Sequence, residues 1–284
     1  MRKALVAALV AAMTIAAAGC SSAAATGSSG APVVLRLGFQ ANITHEPALV
    51  GLAKGYFAKD LGKNVTLKTT VFSSGTEETT ALLAGQLDAA YVGPNPAINA
   101  WSKSNGTAIK IISGAASGGA SLVVKHGITS AAELKGKSLA TPSLGNTQDV
   151  AARYWLKQQG LTTTATGGGD VAIKPIKPNS AAVLEFKSGQ IEANSYINAN
   201  PSAAAQAANT ELTTLLGKGL SSSVLTESLK YITFTNNPIA SSLATDAQHA
   251  AAVGLLKPVS LTGIYDLGPL NALLKADGQP PVSS

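Results

Sequence analysis

From residue 33 the chain alternates between short β-rich runs and stretches whose apolar residues recur at helical spacing. Residues 33–40 (VVLRLGFQ) read as a strand, and Leu49, Leu52, Ala53, Tyr56 and Phe57 then make one apolar helix face. Residues 65–72 are the next strand; Ser73-Ser74-Gly75-Thr76 leads into a helix over 77–84, with Gly85 at its C-cap. Residues 89–92 read as a strand, and Gly93-Pro94-Asn95-Pro96 breaks into a helix reaching Lys103. Residues 109–112 and 121–125 give further strands. A second cycle predicts a short helix over 130–134 and a strand over 138–141. Gly145-Asn146-Thr147 then leads into a helix over 148–159, followed by a strand over 171–176 and a helix over 181–187 ending at Gly189.

After Ala193 the pattern turns helical. Asn200-Pro201 is a good helix start, and that helix runs to Leu216 with Gly217 beyond it. Residues 222–229, 246–254 and 268–275 are further helices, and 278–284 should fray. Alternating strands and helices argue for an α/β architecture with a largely parallel sheet. The two cycles end alike, in Gly85-Gln86-Leu87-Asp88-Ala89 and Gly189-Gln190-Ile191-Glu192-Ala193, a weak internal echo that chance also produces.

The N-terminus changes the picture by setting a compartment. Met1-Arg2-Lys3 precedes an apolar run over residues 4–18, too short to span a hydrocarbon core, so 1–19 read as a secretory signal. The run ends in Ala17-Ala18-Gly19-Cys20, which looks like a bacterial lipobox with Ala17 in place of the usual leucine; cleavage there would leave the chain's single cysteine, Cys20, to carry the lipid. One cysteine forms no internal disulfide, so lipid attachment is the economical role. Residues 20–30 lack large apolar and charged side chains and read as a flexible tether. The chain is thus expected to be exported and anchored to the outer face of the cytoplasmic membrane, at the cell surface or in the periplasm.

Charge narrows the partners. The net charge is +6, and loss of Arg2 and Lys3 with the signal brings it to +4. The lysines stand singly, without aromatic interleaving, so no nucleic-acid partner is expected. Hydrolase, metalloprotease and nucleotide-loop signatures are absent, which argues against an enzyme. His45, His126 and His249 stand far apart, so neither a metal nor another cofactor is expected. Trp101, Tyr154 and Trp155 fall on apolar helix faces and read as core.

What recurs is a strand, a polar glycine-bearing turn and a helix, at Ser73–Thr76, Gly93–Pro96 and Gly145–Gln148. In open α/β sheets ligands settle beyond the carboxyl ends of strands, where free helix N–H groups and the dipole favour negative charge. Each turn taken singly is also what an ordinary N-cap looks like; three at equivalent places point to a ligand cleft. Arg153 lies more than a turn into its helix, so an arginine clamp on a carboxylate is not expected. Glu77 and Glu78, in the first turn after Thr76, would complement the dipole and compete with a bound anion.

LRLGFQ, GLAKGYFAKDLG, SSGTEETTALLAGQLDAAYVGPNPAINA, GNTQDVAARYWLKQQG, YINANP and YITFTNNPIASSL resemble, in that order, the periplasmic binding proteins for aliphatic sulfonates, nitrate and taurine. The resemblance implies an α/β, type II periplasmic-binding-protein-like fold of two lobes with mixed, mainly parallel sheets. Lobe 1 would comprise residues 31–119 and 196–284, and lobe 2 residues 120–195. It implies a monomer whose cleft closes on a sulfonate, taurine or nitrate and then docks on the membrane permease of an ABC importer. Gln40, Ser74, Gly75, Gly93, Asn95, Asn146 and Thr147 would line that cleft.

The chain departs from the family pattern after Gln190-Ile191-Glu192. An aromatic loop, the rest of lobe 2 and the return crossover are missing before Tyr196-Ile197-Asn198-Ala199-Asn200-Pro201, so lobe 2 is expected to be truncated, with an exposed sheet edge. Two alternatives stay open. The same fold could take a thiamine-precursor pyrimidine or related heterocycle, with Phe39 and Tyr91 the only stacking candidates. Or the chain is a degenerate lipoprotein with impaired ligand binding. A secreted hydrolase is a more distant possibility.

Overall fold

In the computed structural model, residues 33–122, 124–175 and 187–284 are described. The signal segment, the tether, Cys20 and the expected helix over 181–186 lie outside them. Pro32–Ser284 forms one compact unit.

β1 (Val33–Phe39) is the centre of a three-stranded parallel sheet. Its partners are β2 (Val65–Val71), in register from Val33 opposite Val65 to Phe39 opposite Val71, and the two-residue β3 (Ala89–Ala90). The apolar face read from the sequence splits into α1 (Glu46–Ala53) and α2 (Tyr56–Leu61), because Gly55 takes a left-handed conformation between them. α3 (Gly75–Leu83) and α4 (Pro94–Lys103) follow β2 and β3. Leu37, Phe39, Ala48, Leu49 and Val50 are fully buried here, against Ala193, Ile197, Ala204 and Ala208 from the C-terminal half.

A smaller core lies around β5 (Ser138–Thr141) and β6 (Ala172–Pro175), a parallel pair packed on α5 (Thr147–Gln158) through Leu134, Leu156, Leu161, Val171 and Ile173. α6 (Lys187–Ala199) and α7 (Pro201–Leu216) pack against α1. α8 (Ser222–Leu229), β7 (Ile232–Phe234), α9 (Ala240–Ala252) and α10 (Gly268–Ala276) complete the chain.

Several expectations need correction. Gly189 does not close a helix; it lies inside α6, where burial of Ala193 and Ile197 offsets the roughly 1 kcal/mol that an interior glycine costs. The strand expected over 121–125 falls earlier, as β4 (Ala116–Gly118), and pairs antiparallel with β7, which the helical reading missed. The strand expected over 109–112 reduces to one bridge, Ile111 to Tyr265. α9 begins six residues earlier than periodicity suggested. The C-terminal residues do not fray: Asn271 bonds Val282 twice, at 2.8 and 2.9 Å, and Val282 packs on Leu270 and Leu274. No helix among the described residues is long and apolar enough to cross a membrane.

Candidate functional site

The three turns singled out by sequence each start a helix, and those starts meet. Ser74, in extended conformation, caps α3 and its hydroxyl accepts the Glu77 N–H at 3.3 Å. Gly93 caps α4, with Pro94 in the first turn. Asn146 caps α5, its side-chain oxygen accepting the Asp149 N–H at 2.9 Å. Thr76 and Ser143 hydroxyls lie 3.3 Å apart, linking α3 to the α5 turn. The Asn99 amide reaches the Gly145 carbonyl at 3.4 Å, linking α4 to it. Gly93 and Thr147 are so close that a β-carbon on Gly93 would stand 2.3 Å from the Thr147 hydroxyl, so only glycine admits this approach.

The α5 turn is held from below by a buried ion pair. Asp149 and Arg153 are both fully buried; one Asp149 oxygen accepts the Gly145 N–H and the Arg153 Nε–H, each at 2.8 Å, and the other accepts the Thr141 hydroxyl at 3.3 Å. Arg153 Nη1 also donates to the Thr164 carbonyl. The sequence excluded Arg153 as a ligand clamp, and the structure gives it this supporting task, fixing the turn that carries Asn146 and Thr147. The pair was legible only as Asp and Arg four residues apart in one helix, a spacing shared with many exposed pairs.

These starts surround a cavity of about 180 Å³. Five of the seven residues nominated from sequence line it: Gln40, Gly75, Gly93, Asn146 and Thr147. Ser74 and Asn95 do not. Ser74 is buried as a cap, and Asn95 is buried with its amide 3.3 Å from the Asp246 carbonyl and its carbonyl oxygen without a partner. Asn42, Thr44, His45 and Gln148 join the lining and were not nominated. None of the lining residues is Lys, Arg, Asp or Glu. His45 belongs with the neutral groups, since burial pushes its imidazole down to about 3 although the residue keeps some exposure at the cavity. The Thr147 hydroxyl oxygen is shielded and has no protein partner.

Two carboxyls are buried close to this framework. Glu46 at the start of α1 and Glu78 in the first turn of α3 are both fully buried, and no oxygen of either completes a hydrogen bond. Burial raises Glu46 to about 8 and Glu78 well above its ordinary value. Glu78 is therefore not the solvated dipole partner that its position suggested. Of the stacking candidates, Phe39 is sealed in the core and Tyr91 reaches the cavity. Trp101 and Trp155 pack into cores, as expected, while Tyr154 stacks on His249 of α9 at 3.6 Å. Among the described residues no group of His, Cys, Asp and Glu could hold a metal ion.

A larger cavity, about 520 Å³, lies behind β3, between residues 88–92 and 108–118. Among the described residues β3 pairs only with β1. The facing run is bonded on its far side, with Ile111 to residues 264 and 266 and Gly114 to Asn236.

This α/β fold is shared with solved binding proteins of low sequence identity. The structure matches the alkanesulfonate-binding protein SsuA from Xanthomonas axonopodis pv. citri, bound to MOPS, with a TM-score of 0.61 at 13% identity, over 84% of this chain and 99% of that one. It matches the periplasmic nitrate-binding protein NrtA from Synechocystis PCC 6803 with a TM-score of 0.51 at 14% identity, over 86% and 89%. The chain belongs to the NMT1-like family, which matches residues 29–210. A Brucella abortus protein whose name goes no further than candidate binding protein is 31% identical over 125 residues. That match spans 44% of this chain and only 36% of the relative's length, so the relative is the longer of the two.

Proposed function

We propose that the protein is the extracytoplasmic, lipid-anchored solute-binding component of an ABC importer, and that it captures a small oxyanion such as an aliphatic sulfonate, taurine or nitrate. The observation that carries this reading is the meeting of the α3, α4 and α5 N-termini at one cleft whose lining has no formal charge. Three helix dipoles favour an anion there, although Pro94 and Pro96 leave α4 few N–H groups to offer, and the shielded Thr147 hydroxyl has a hydrogen bond to give it. Gln40, Gly75, Gly93, Asn146 and Thr147 form the contact set; Ser74 and Asn95 support it from beneath. The mechanism is closure of two lobes, 31–119 with 196–284 and 120–195, followed by docking of the closed monomer on a permease. The site performs no chemistry on its ligand, and Cys20 ties the chain to the membrane. A heterocyclic ligand fits less well, because the lining has one Tyr, Tyr91, and no Phe or Trp to stack on it.

A second reading, impaired binding through internal shortening, draws on different observations. Among the described residues the β5–β6 sheet has two strands, Leu122, Val124 and Leu144 are exposed, and β3 pairs only with β1 and lines the larger cavity. Thermal shift of the purified chain with alkanesulfonates, taurine, nitrate and an aminopyrimidine separates the readings. Stabilisation by an anion class supports capture of an oxyanion; stabilisation by the pyrimidine alone replaces it with the heterocycle. No response to any, with a broad multi-step melt, supports shortening with loss of binding.

A further inference from the structure

The short turn after β1 brings a fourth element to the cleft wall. Ile43–His45 is one 3-10 turn, anchored in the core by Ile43. The Asn42 side-chain oxygen accepts the Thr44 N–H at 3.1 Å and the Thr44 hydroxyl at 3.2 Å, and the Asn42 carbonyl accepts the His45 N–H at 2.9 Å. The turn is therefore held from both its side-chain and backbone groups, and it sets the His45 ring in the lining. The Thr44 proton is committed to Asn42, so that hydroxyl offers the cleft only lone pairs.

The two ring nitrogens of His45 stand in unlike places. Nδ1 is shielded and has no partner among the described residues, whereas Nε2 is not closed off and the ring keeps some exposure where it lines the cleft. Burial holds the imidazole neutral, so it carries a single N–H. A shielded N–H without an acceptor is a costlier and rarer defect than a shielded lone pair. The proton therefore belongs on Nε2.

We propose that His45 is a ligand-binding residue that donates its Nε2–H to the bound anion. This rests on the oxyanion reading of the site. The Thr147 hydroxyl, shielded and likewise partnerless, is a second neutral donor on the same wall. The opposite tautomer would turn a bare lone pair on the cleft, which repels an oxyanion and accepts from the amino group of a pyrimidine.

The test joins NMR of the ring nitrogens with isothermal titration of methanesulfonate and nitrate, with circular dichroism to check folding. Long-range nitrogen–proton spectra of the free chain should show His45 protonated on Nε2, and saturation with an anion should move that proton downfield. His45→Phe keeps a ring without a donor, and its affinity should fall about tenfold, the effect of losing one donor to a charged partner. His45→Gln places an amide N–H the same number of bonds from the backbone as Nε2 and should recover most of that loss. His45→Asn ends one bond short and should not. A proton on Nδ1, unchanged affinity in His45→Phe, or equal losses in His45→Gln and His45→Phe overturns the proposal. If His45→Phe fails to fold, the ring spectra and the contrast between Gln and Asn still decide. A folded parent that binds neither anion is a separate result and refutes the oxyanion reading itself.

Discussion

Replacing Glu46 with Gln should stabilise the protein in a way that depends on pH. Glu46 is fully buried at the start of α1, its oxygens have no partner, and burial raises its carboxyl from 4.5 to about 8. In the unfolded chain the same carboxyl ionises at its ordinary value. Between pH 4.5 and about 8 the unfolded state has therefore lost a proton that the folded state keeps, so stability falls as pH rises through that window. Below it the group contributes nothing; above it the loss is complete. From the ordinary value to pH 7, at about 1.4 kcal/mol per pH unit, the folded state loses about 3 kcal/mol. Gln cannot ionise, so Glu46→Gln should exceed the parent by about 3 kcal/mol at pH 7 and by almost nothing at pH 4. For a body of this size the gain corresponds to about 6–12 °C in melting midpoint. Urea unfolding of both proteins from pH 4 to 9 measures the difference. A gain that is the same at every pH, or a parent more stable at pH 8 than at pH 5 relative to the variant, refutes the reasoning.

His45 acts with the opposite sign: its folded value is depressed, so its stabilising contribution is present above 6.5 and lost as pH falls toward 3, and His45→Asn should flatten the acid limb of the unfolding profile. Arg153→Met leaves Asp149 buried and unpaired, and should cost about 3–5 kcal/mol in denaturant unfolding. Gly114→Ala places a β-carbon 2.1 Å from the Asn237 carbonyl oxygen and should lower the melting midpoint, while leaving far-UV circular dichroism unchanged at low temperature. Thr147→Val removes the shielded hydroxyl at nearly constant volume and should weaken anion binding about tenfold in titration.

The parts of the fold legible in the sequence are those fixed by local chemistry. β1, β2, α3 with Gly85 beyond it, and α5 with Asn146 as cap stand where alternation, helical spacing and capping put them. The parts that failed depend on distant partners. β7 is three residues long and exists because Ala116–Gly118 lies beside it. α6 runs through Gly189 because Ala193 and Ile197 are buried against a distant part of the chain. The site shows the same division. Turns that expose N–H groups announce themselves by Gly, Ser, Asn and Thr, and five of seven nominated residues do line one cavity. Ser74 and Asn95 were drawn in by adjacency to those turns, but one is turned inward as a cap and the other toward Asp246. Glu78 was read as a dipole partner because a charged residue in a helix reads as solvated unless its burial is known, and the buried pairing of Arg153 with Asp149 went unread for the same reason.

Occupancy of the cleft is the claim on which the functional account stands. Titration of the purified chain with a short alkanesulfonate, repeated with Gly93→Val, tests it most directly, since the added side chain would displace Thr147 from the cleft wall without left-handed backbone strain at Gly93. The account predicts saturable binding of one anion per chain in the parent and none in Gly93→Val, with both proteins folded. Equal binding by the two would place the anion elsewhere, and no binding by a folded parent would contradict capture of an oxyanion.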